Sequence, residues 1–318
     1  DVFVTLFIML SYFFMFCYTR KSFYDTSLKK TFIPLGLCGI AMGFSWACKW
    51  TGIYSSIGLC LIFFIVMGKR FSEYLYASKN PNGTTEGISH KDIIDTFYKK
   101  FWKTIAFCCG FFVAIPAAIY TLSYIPFSDG TGHGLIRRML DNQTRMFNYH
   151  STLNATHPYS SKWYEWPIMK RPIWYFSGEI NSHLREGISA FGNPLIWWMG
   201  IPAFLFILYL IYKKRHRNAI YLTFGYLSQY LPWIFIGRVV FIYHYFPSVP
   251  FVTLMIGYSM KKIVDEKPKW KKAMYVYAAL VVVLFIMFYP VISGKAVDPS
   301  YVQKYLKWFD SWVLIQTW

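Results

Sequence analysis

Residues 33–67 read IPLGLCGIAMGFSWACKWTGIYSSIGLCLIFFIVM, an apolar run with a single charged residue, Lys49. At 1.5 Å per residue, one helix of that length would extend about 50 Å, well beyond a hydrocarbon core of about 30 Å. The run therefore reads as two short helices that turn at Lys49-Trp50-Thr51 on one membrane face. A second break with almost no linker, Gly237-Arg238, divides another apolar stretch in the same way. Working outward from these two turns, apolar segments give eight spans, at roughly 2–18, 33–49, 52–67, 102–125, 195–212, 218–236, 239–258 and 272–291.

Composition supports an all-α, polytopic integral membrane protein. Hydrophobic residues make up 55% and charged residues 15%, against about 25% charged in a soluble domain. That is too little charge to cover a water-facing surface. The formal net charge of +18 does not imply nucleic acid as a partner. The basic residues lie in short clusters between apolar runs, as in the inner loops of membrane proteins, and not in one patch on a soluble fold.

Those clusters orient the chain. Arg20, Lys21, Lys29 and Lys30 follow the first span; Lys69, Arg70, Lys91, Lys99 and Lys100 fill the next inner loop. Lys213, Lys214, Arg215 and Arg217 form a third cluster, and Lys261, Lys262, Lys267, Lys269, Lys271 and Lys272 a fourth. With eight spans all four fall on one side, which the positive-inside rule makes cytoplasmic. The expected organisation is a first four-span region over 1–125, an outer loop region over 126–194, a second four-span region over 195–292, and an outer aromatic tail over 293–318. The aromatic spacing of 301–318 predicts a helix lying along the outer interface.

Ionisable groups inside or beside spans mark candidate sites, because the bilayer makes them costly. Lys49 and Arg238 occupy tight turns on the outer side, where both could hold an anion; snorkelling to the interface is the alternative. His244, flanked by Tyr243 and Tyr245, falls inside the seventh span, where a neutral hydrogen-bonded imidazole is the plainer reading. The segment KWYEWPIMKRPIWYF (162–176) sets Trp163, Trp166 and Trp174 beside Lys170 and Arg171. Such a mixture binds sugars or anions, or anchors a loop to headgroups. The outer acids are Asp1, Asp129, Asp141, Glu165, Glu179, Glu186, Asp298 and Asp310, with Asp1 at the outer end of the first span. The six cysteines lie in or at the ends of apolar runs and form neither a disulfide framework nor zinc spacing. No phosphate-binding loop, dinucleotide fingerprint, HExxH or GxSxG motif is present. No metal or cofactor is predicted.

Several stretches resemble one family in the right order. YLPWIFIGRVVFIYHYFPSVPF (230–251) is similar to the C-terminal membrane region of protein O-mannosyltransferases, particularly the shorter bacterial members. LGLCGIAMGFSWACKWTGIY (35–54), EWPIMKRPIWYF (165–176), FGNPLIWWMG (191–200) and DVFVTLFIML (1–10) also resemble family segments. The resemblance implies a GT-C-type helical bundle that transfers mannose from a polyprenyl (dolichyl-type) phosphate donor to Ser or Thr hydroxyls of exported proteins at the outer face. It further implies that Lys49 and Arg238 hold the donor phosphate, with His244, Tyr243 and Tyr245 shaping the pocket. Trp166, Arg171 and Trp50 would lie at the acceptor side or entrance.

The family's acidic Asp-Glu pair lies in a first outer loop, ahead of the region matched here. The chain is thus expected to be the C-terminal part of a longer enzyme and inactive alone; Asp1, the one catalytic candidate it offers, matches a later Leu-Asp position of the family and not that pair. The implied partners are the lipid-linked sugar, the exported acceptor protein, membrane lipids and the translocation machinery. The short 126–194 segment points to a bacterial plasma membrane protein, or an ER membrane protein if the source is eukaryotic. Alternative readings keep the fold with a lipid or cell-wall glycan acceptor, or make the chain a transporter or scaffold.

Overall fold

The computed structural model describes residues 1–128, 130 and 132–315. Asp129, one of the outer acids, lies outside the described residues, as do positions 316–318 of the tail. The chain is mostly helical and divides into two compact units, Asp1–Tyr149 and His150–Trp318. The division falls inside the region read as one outer loop.

The first unit contains α1 (Val2–Thr19), α2 (Leu28–Cys48), α3 (Tyr54–Lys79), α4 (His90–Cys109), α5 (Ile115–Leu122) and most of α6 (Leu135–Thr152). A two-residue hairpin, β1 (Thr84–Thr85) with β2 (Ile88–Ser89), joins α3 to α4. The break predicted at Lys49 is present. Lys49 is extended (φ −166°, ψ 144°), and a short 3-10 turn over Trp50–Ile53 leads into α3. Gly52 fits because a Cβ there would come within 2.2 Å of the Ser45 carbonyl oxygen. Helix α4 continues into α5 through a π turn at Gly110–Ala114. Pro116, which cannot donate an amide hydrogen bond, lies just beyond that turn. Gly39 of α2 admits this turn, since a Cβ would lie 1.9 Å from the Phe111 carbonyl oxygen.

Two cations counted as inner-loop charges are used differently. Arg70 is 4% exposed. Its guanidinium donates to the Tyr18 hydroxyl and lies 4.7 Å from the Tyr18 ring centroid and 4.5 Å from that of Phe23. Lys100 donates to the carbonyls of Phe23, Tyr24 and Thr26 at 2.8–3.0 Å. Both tie down the loop between α1 and α2.

The second unit contains the antiparallel pair β3 (Ile173–Glu179) and β4 (Arg185–Ala190), and helices α7 (Pro194–Lys214), α8 (Arg217–Tyr230), α9 (Val249–Glu266) and α10 (Lys271–Ser293). Helices α7 and α9 pack closely at Gly200, where a Cβ would meet Val252 at 2.5 Å.

Six helical segments among the described residues are long and apolar enough to cross a membrane: Val2–Thr19, Leu28–Cys48, Trp50–Lys79, His90–Leu122, Pro194–Lys214 and Pro268–Ser293. The expected sixth and seventh spans differ in form. Helix α8 gives way to a 3-10 turn at Leu231–Phe235, and a second 3-10 turn, Ile242–Ser248, precedes α9. Pro232, Pro247 and Pro250 account for this, because each removes a backbone donor from the helical ladder.

The tail also departs from expectation. Among the described residues of the tail only Pro299–Leu306 is helical; beyond it the chain turns and packs on its own unit. Trp312, Leu314 and Ile315 are buried. The Trp312 indole donates to the Met169 carbonyl at 2.7 Å, and the Ser189 hydroxyl to the Leu314 carbonyl at 2.5 Å. Trp312 packs on Phe191 and Phe288, Leu314 and Ile315 meet β4 at Ser189 and Gly187, and Tyr305, Trp308 and Phe309 stay exposed.

Candidate functional site

Arg238 sits in the irregular stretch between the two 3-10 turns, where the prolines keep the chain out of a helix. This stretch and the loop over 155–165 line one cavity of about 860 Å³, with Arg238, Lys162, His157 and Glu165 among its walls. The Ser161 amide donates to the Val240 carbonyl at 3.0 Å and so joins the two loops. Trp166 is fully buried beneath them, its indole donating to the carbonyl and hydroxyl oxygens of Ser161, both at 3.1 Å. Arg171 donates to the Pro158 carbonyl at 2.7 Å. Trp166 and Arg171, expected near an entrance, thus hold the cavity wall in place.

The charges in this wall are not equivalent. Glu165 is committed: it accepts from the Lys170 ammonium at 2.6 Å and from the Lys162 amide at 2.8 Å. Burial works to raise its carboxyl, but these two donors outweigh it and hold the pKa below the usual carboxylate value. Arg238, by contrast, has no ion-pair partner among the described residues; its guanidinium donates to the neighbouring Val239 carbonyl at 3.1 Å. Burial and the Arg238 cation together hold the His150 imidazole below its usual pKa, which favours its neutral form. A partly buried guanidinium with donors to spare is suited to a bidentate anion such as phosphate.

Tyr243, His244 and Tyr245 stand behind this wall. His244 is 6% exposed, with its ring 4.4 Å from that of Trp233, which does line the cavity. It also stacks on Tyr243 at 4.3 Å and on Trp166 at 6.0 Å. The Tyr245 hydroxyl is 3.0 Å from that of Tyr226. Within this unit, the structure brings Trp166, Arg171, Arg238 and the Tyr243–Tyr245 segment around one cavity. Sequence reasoning missed His157, Ser160 and Ser161, because nothing in their local pattern separates them from ordinary polar loop residues.

In the first unit, Lys49 and Asp1 form an ion pair at 2.5 Å, with side chains 38% and 26% exposed. The Trp50 indole donates to Gln143 at 2.7 Å and to the Tyr120 hydroxyl at 3.3 Å. No group of three or more His, Cys, Asp or Glu side chains among the described residues could hold a metal ion.

Comparison with known proteins bears on this arrangement. Residues 135–312 match the family described as the C-terminal four TMM region of protein-O-mannosyltransferase. The polyprenol-phosphate-mannose–protein mannosyltransferase of Corynebacterium glutamicum is 24% identical over 315 residues, covering 86% of this chain and 56% of that protein. Its Mycobacterium tuberculosis counterpart is 22% identical over 307 residues, with the same coverage. The dolichyl-phosphate-mannose–protein mannosyltransferase 1 of Saccharomyces cerevisiae is 25% identical, covering 62% of this chain and 26% of that protein. Among solved structures, the S. cerevisiae Pmt1-Pmt2 complex bound to the sugar donor is similar with a TM-score of 0.47 and 22% identity, over 57% of this chain and 27% of that chain. The chain spans 56% of the length of the two bacterial relatives.

Proposed function

The chain belongs to the protein O-mannosyltransferase family, matching its C-terminal four-span region, and from that premise we propose that it forms part of a membrane mannosyltransferase. In this reading the enzyme transfers mannose from a polyprenyl-phosphate-linked donor to Ser or Thr hydroxyls of exported proteins. The reaction takes place on the outer face of a membrane crossed eight times, with α8 and α9 and their flanking 3-10 turns supplying the two interrupted spans. The domain limits follow the sequence, at 1–125, 126–194, 195–292 and 293–318. The bacterial plasma membrane is the proposed location, and the translocation machinery a proposed neighbour that would deliver unfolded acceptors.

The observation that carries the reading is Arg238: a guanidinium without an ion-pair partner among the described residues, in the wall of an 860 Å³ cavity. In the proposed mechanism Arg238 binds the donor phosphate and neutralises charge that develops on it as the sugar–phosphate bond breaks. Tyr243, His244 and Tyr245 support the wall through Trp233, while Trp166 and Arg171 fix the loop facing the incoming substrate. Lys49 is a second phosphate ligand, which would exchange Asp1 for the donor, and Trp50 orients that turn. Glu165 is held ionised by its own partners and is not assigned the role of base.

The test is mannosyl transfer to a Ser/Thr peptide by the full-length protein in membranes supplied with polyprenyl-phosphate-mannose. Arg238→Ala is expected to abolish transfer while leaving insertion and abundance unchanged. Wild-type turnover in that variant would remove Arg238 from the site.

A further inference from the structure

A second cavity lies wholly within the first unit. It has a volume of about 520 Å³, is lined by one face of α2 from Leu28 to Ile40 and by the rings of Phe107 and Phe111, and is almost entirely apolar. Its size is within the range of roughly 300–1,000 Å³ that holds small ligands. Phe32, Phe107 and Phe111 form its flat wall, successive rings lying 4.2 Å apart and within 14° of parallel. Gly36 forms its floor: a Cβ there would come within 3.1 Å of both the Phe107 and Phe111 rings.

One end of the groove is charged. Lys29, at the start of α2, is the single charged residue in the lining. Ser27, the N-cap of α2, makes no side-chain capping hydrogen bond. The first-turn amides and the positive end of the helix dipole therefore add to the Lys29 charge at that mouth. From Lys29 to Ile40 the helix rises about 16 Å, close to half of a hydrocarbon core of about 30 Å. The groove thus has the length of one leaflet, a cationic head end and an apolar aromatic wall.

We propose that this groove is a binding site for one anionic phospholipid, separate from the Arg238 cavity. The phosphate sits at Lys29 and the α2 N-terminus, and one acyl chain lies along Gly36 against Phe107 and Phe111. Charge complementarity selects the occupant: a neutral acyl chain would be indifferent to Lys29, whereas an anionic headgroup would not.

The test uses the full-length protein in bilayers of equal parts phosphatidylcholine and phosphatidylglycerol, with a diazirine-bearing acyl chain on one lipid at a time. Phosphatidylglycerol is expected to label peptides containing Phe107 and Phe111 in preference to phosphatidylcholine. Lys29→Gln should lower that preference about fivefold, the weight of one lysine at an anionic surface, and Lys29→Arg should keep it. Ile33→Trp, on the exposed rim of the groove, should block labelling at these rings while the protein remains folded by thermal melt. Equal labelling by both lipids, or a preference unchanged in Lys29→Gln, would overturn the proposal. So would labelling by phosphatidylglycerol that maps away from Phe107 and Phe111.

Discussion

The Asp1 carboxylate and the Lys49 ammonium lie 2.5 Å apart, linking the N-cap of α1 to the turn between α2 and α3. By sequence alone these two residues take separate roles, Asp1 as a catalytic candidate and Lys49 as a phosphate ligand; the fold makes them partners. A pair this exposed contributes little to stability, about 0–1 kcal/mol. Lys49→Ala in the full-length protein is therefore expected to melt within a few degrees of wild type while transferring mannose poorly, whereas Asp1→Asn, which only frees Lys49, should melt similarly and keep transfer. Melting temperatures and transfer rates on the same preparations provide the check. A large loss of stability with unimpaired transfer would make the pair a structural clasp instead of part of the site.

Glu165 gives a prediction about pH. Its lowered pKa means that its stabilising contribution is fully present above the ordinary carboxylate value of 4.5 and is lost as pH falls through the lowered value. Glu165→Gln should cost about 1–2 kcal/mol at neutral pH through its bonds to Lys170 and the Lys162 amide. The difference between wild type and variant should shrink as the solution is acidified below 4.5. Thermal melts across that range decide the matter; a gap that widens on acidification would contradict the assignment.

The close approach at Gly39 is a further point of test. A Cβ 1.9 Å from the Phe111 carbonyl oxygen cannot be relieved by moving a flexible side-chain tip, because the obstacle is backbone. Gly39→Ala should destabilise the first unit by about 3 kcal/mol. Gly68→Ala, where a Cβ meets nothing within 4 Å, should be tolerated or slightly stabilising. Unfolding of the two variants in detergent compares them directly, and equal stability would show that the π turn at Gly110–Ala114 is free to shift.

Much of this was legible in the sequence. The apolar run broken at Lys49 gave the α2–α3 turn, and the strings around Trp166 and Arg238 gave the family. The α8–α9 interruption was read as a tight turn, but the prolines at 232, 247 and 250 lengthened it into two 3-10 turns around Arg238. Arg70 was counted as a loop charge because its position follows an apolar run; its burial depends on Tyr18 and Phe23 from another part of the chain, which local pattern does not reveal. Of the tail aromatics Trp312 turns inward onto Phe191 and Phe288 while Tyr305, Trp308 and Phe309 stay exposed, since a hydrophobic face does not specify whether it will meet lipid or protein. The 157–161 part of the wall carried no signal beyond polarity, because its meaning comes from the Ser161–Val240 bond that brings it to Arg238.

The central claim is that Arg238 holds the donor phosphate, and direct binding tests it without depending on turnover. Affinity of the full-length protein for polyprenyl-phosphate-mannose can be measured for wild type, Arg238→Lys and Arg238→Ala. The account predicts a loss of about 10–100-fold in Arg238→Ala, as for a charge-assisted bond of about 1.5–3 kcal/mol, with Arg238→Lys intermediate because a lysine keeps the charge but not the fork. Unchanged donor affinity in a folded Arg238→Ala protein would contradict it.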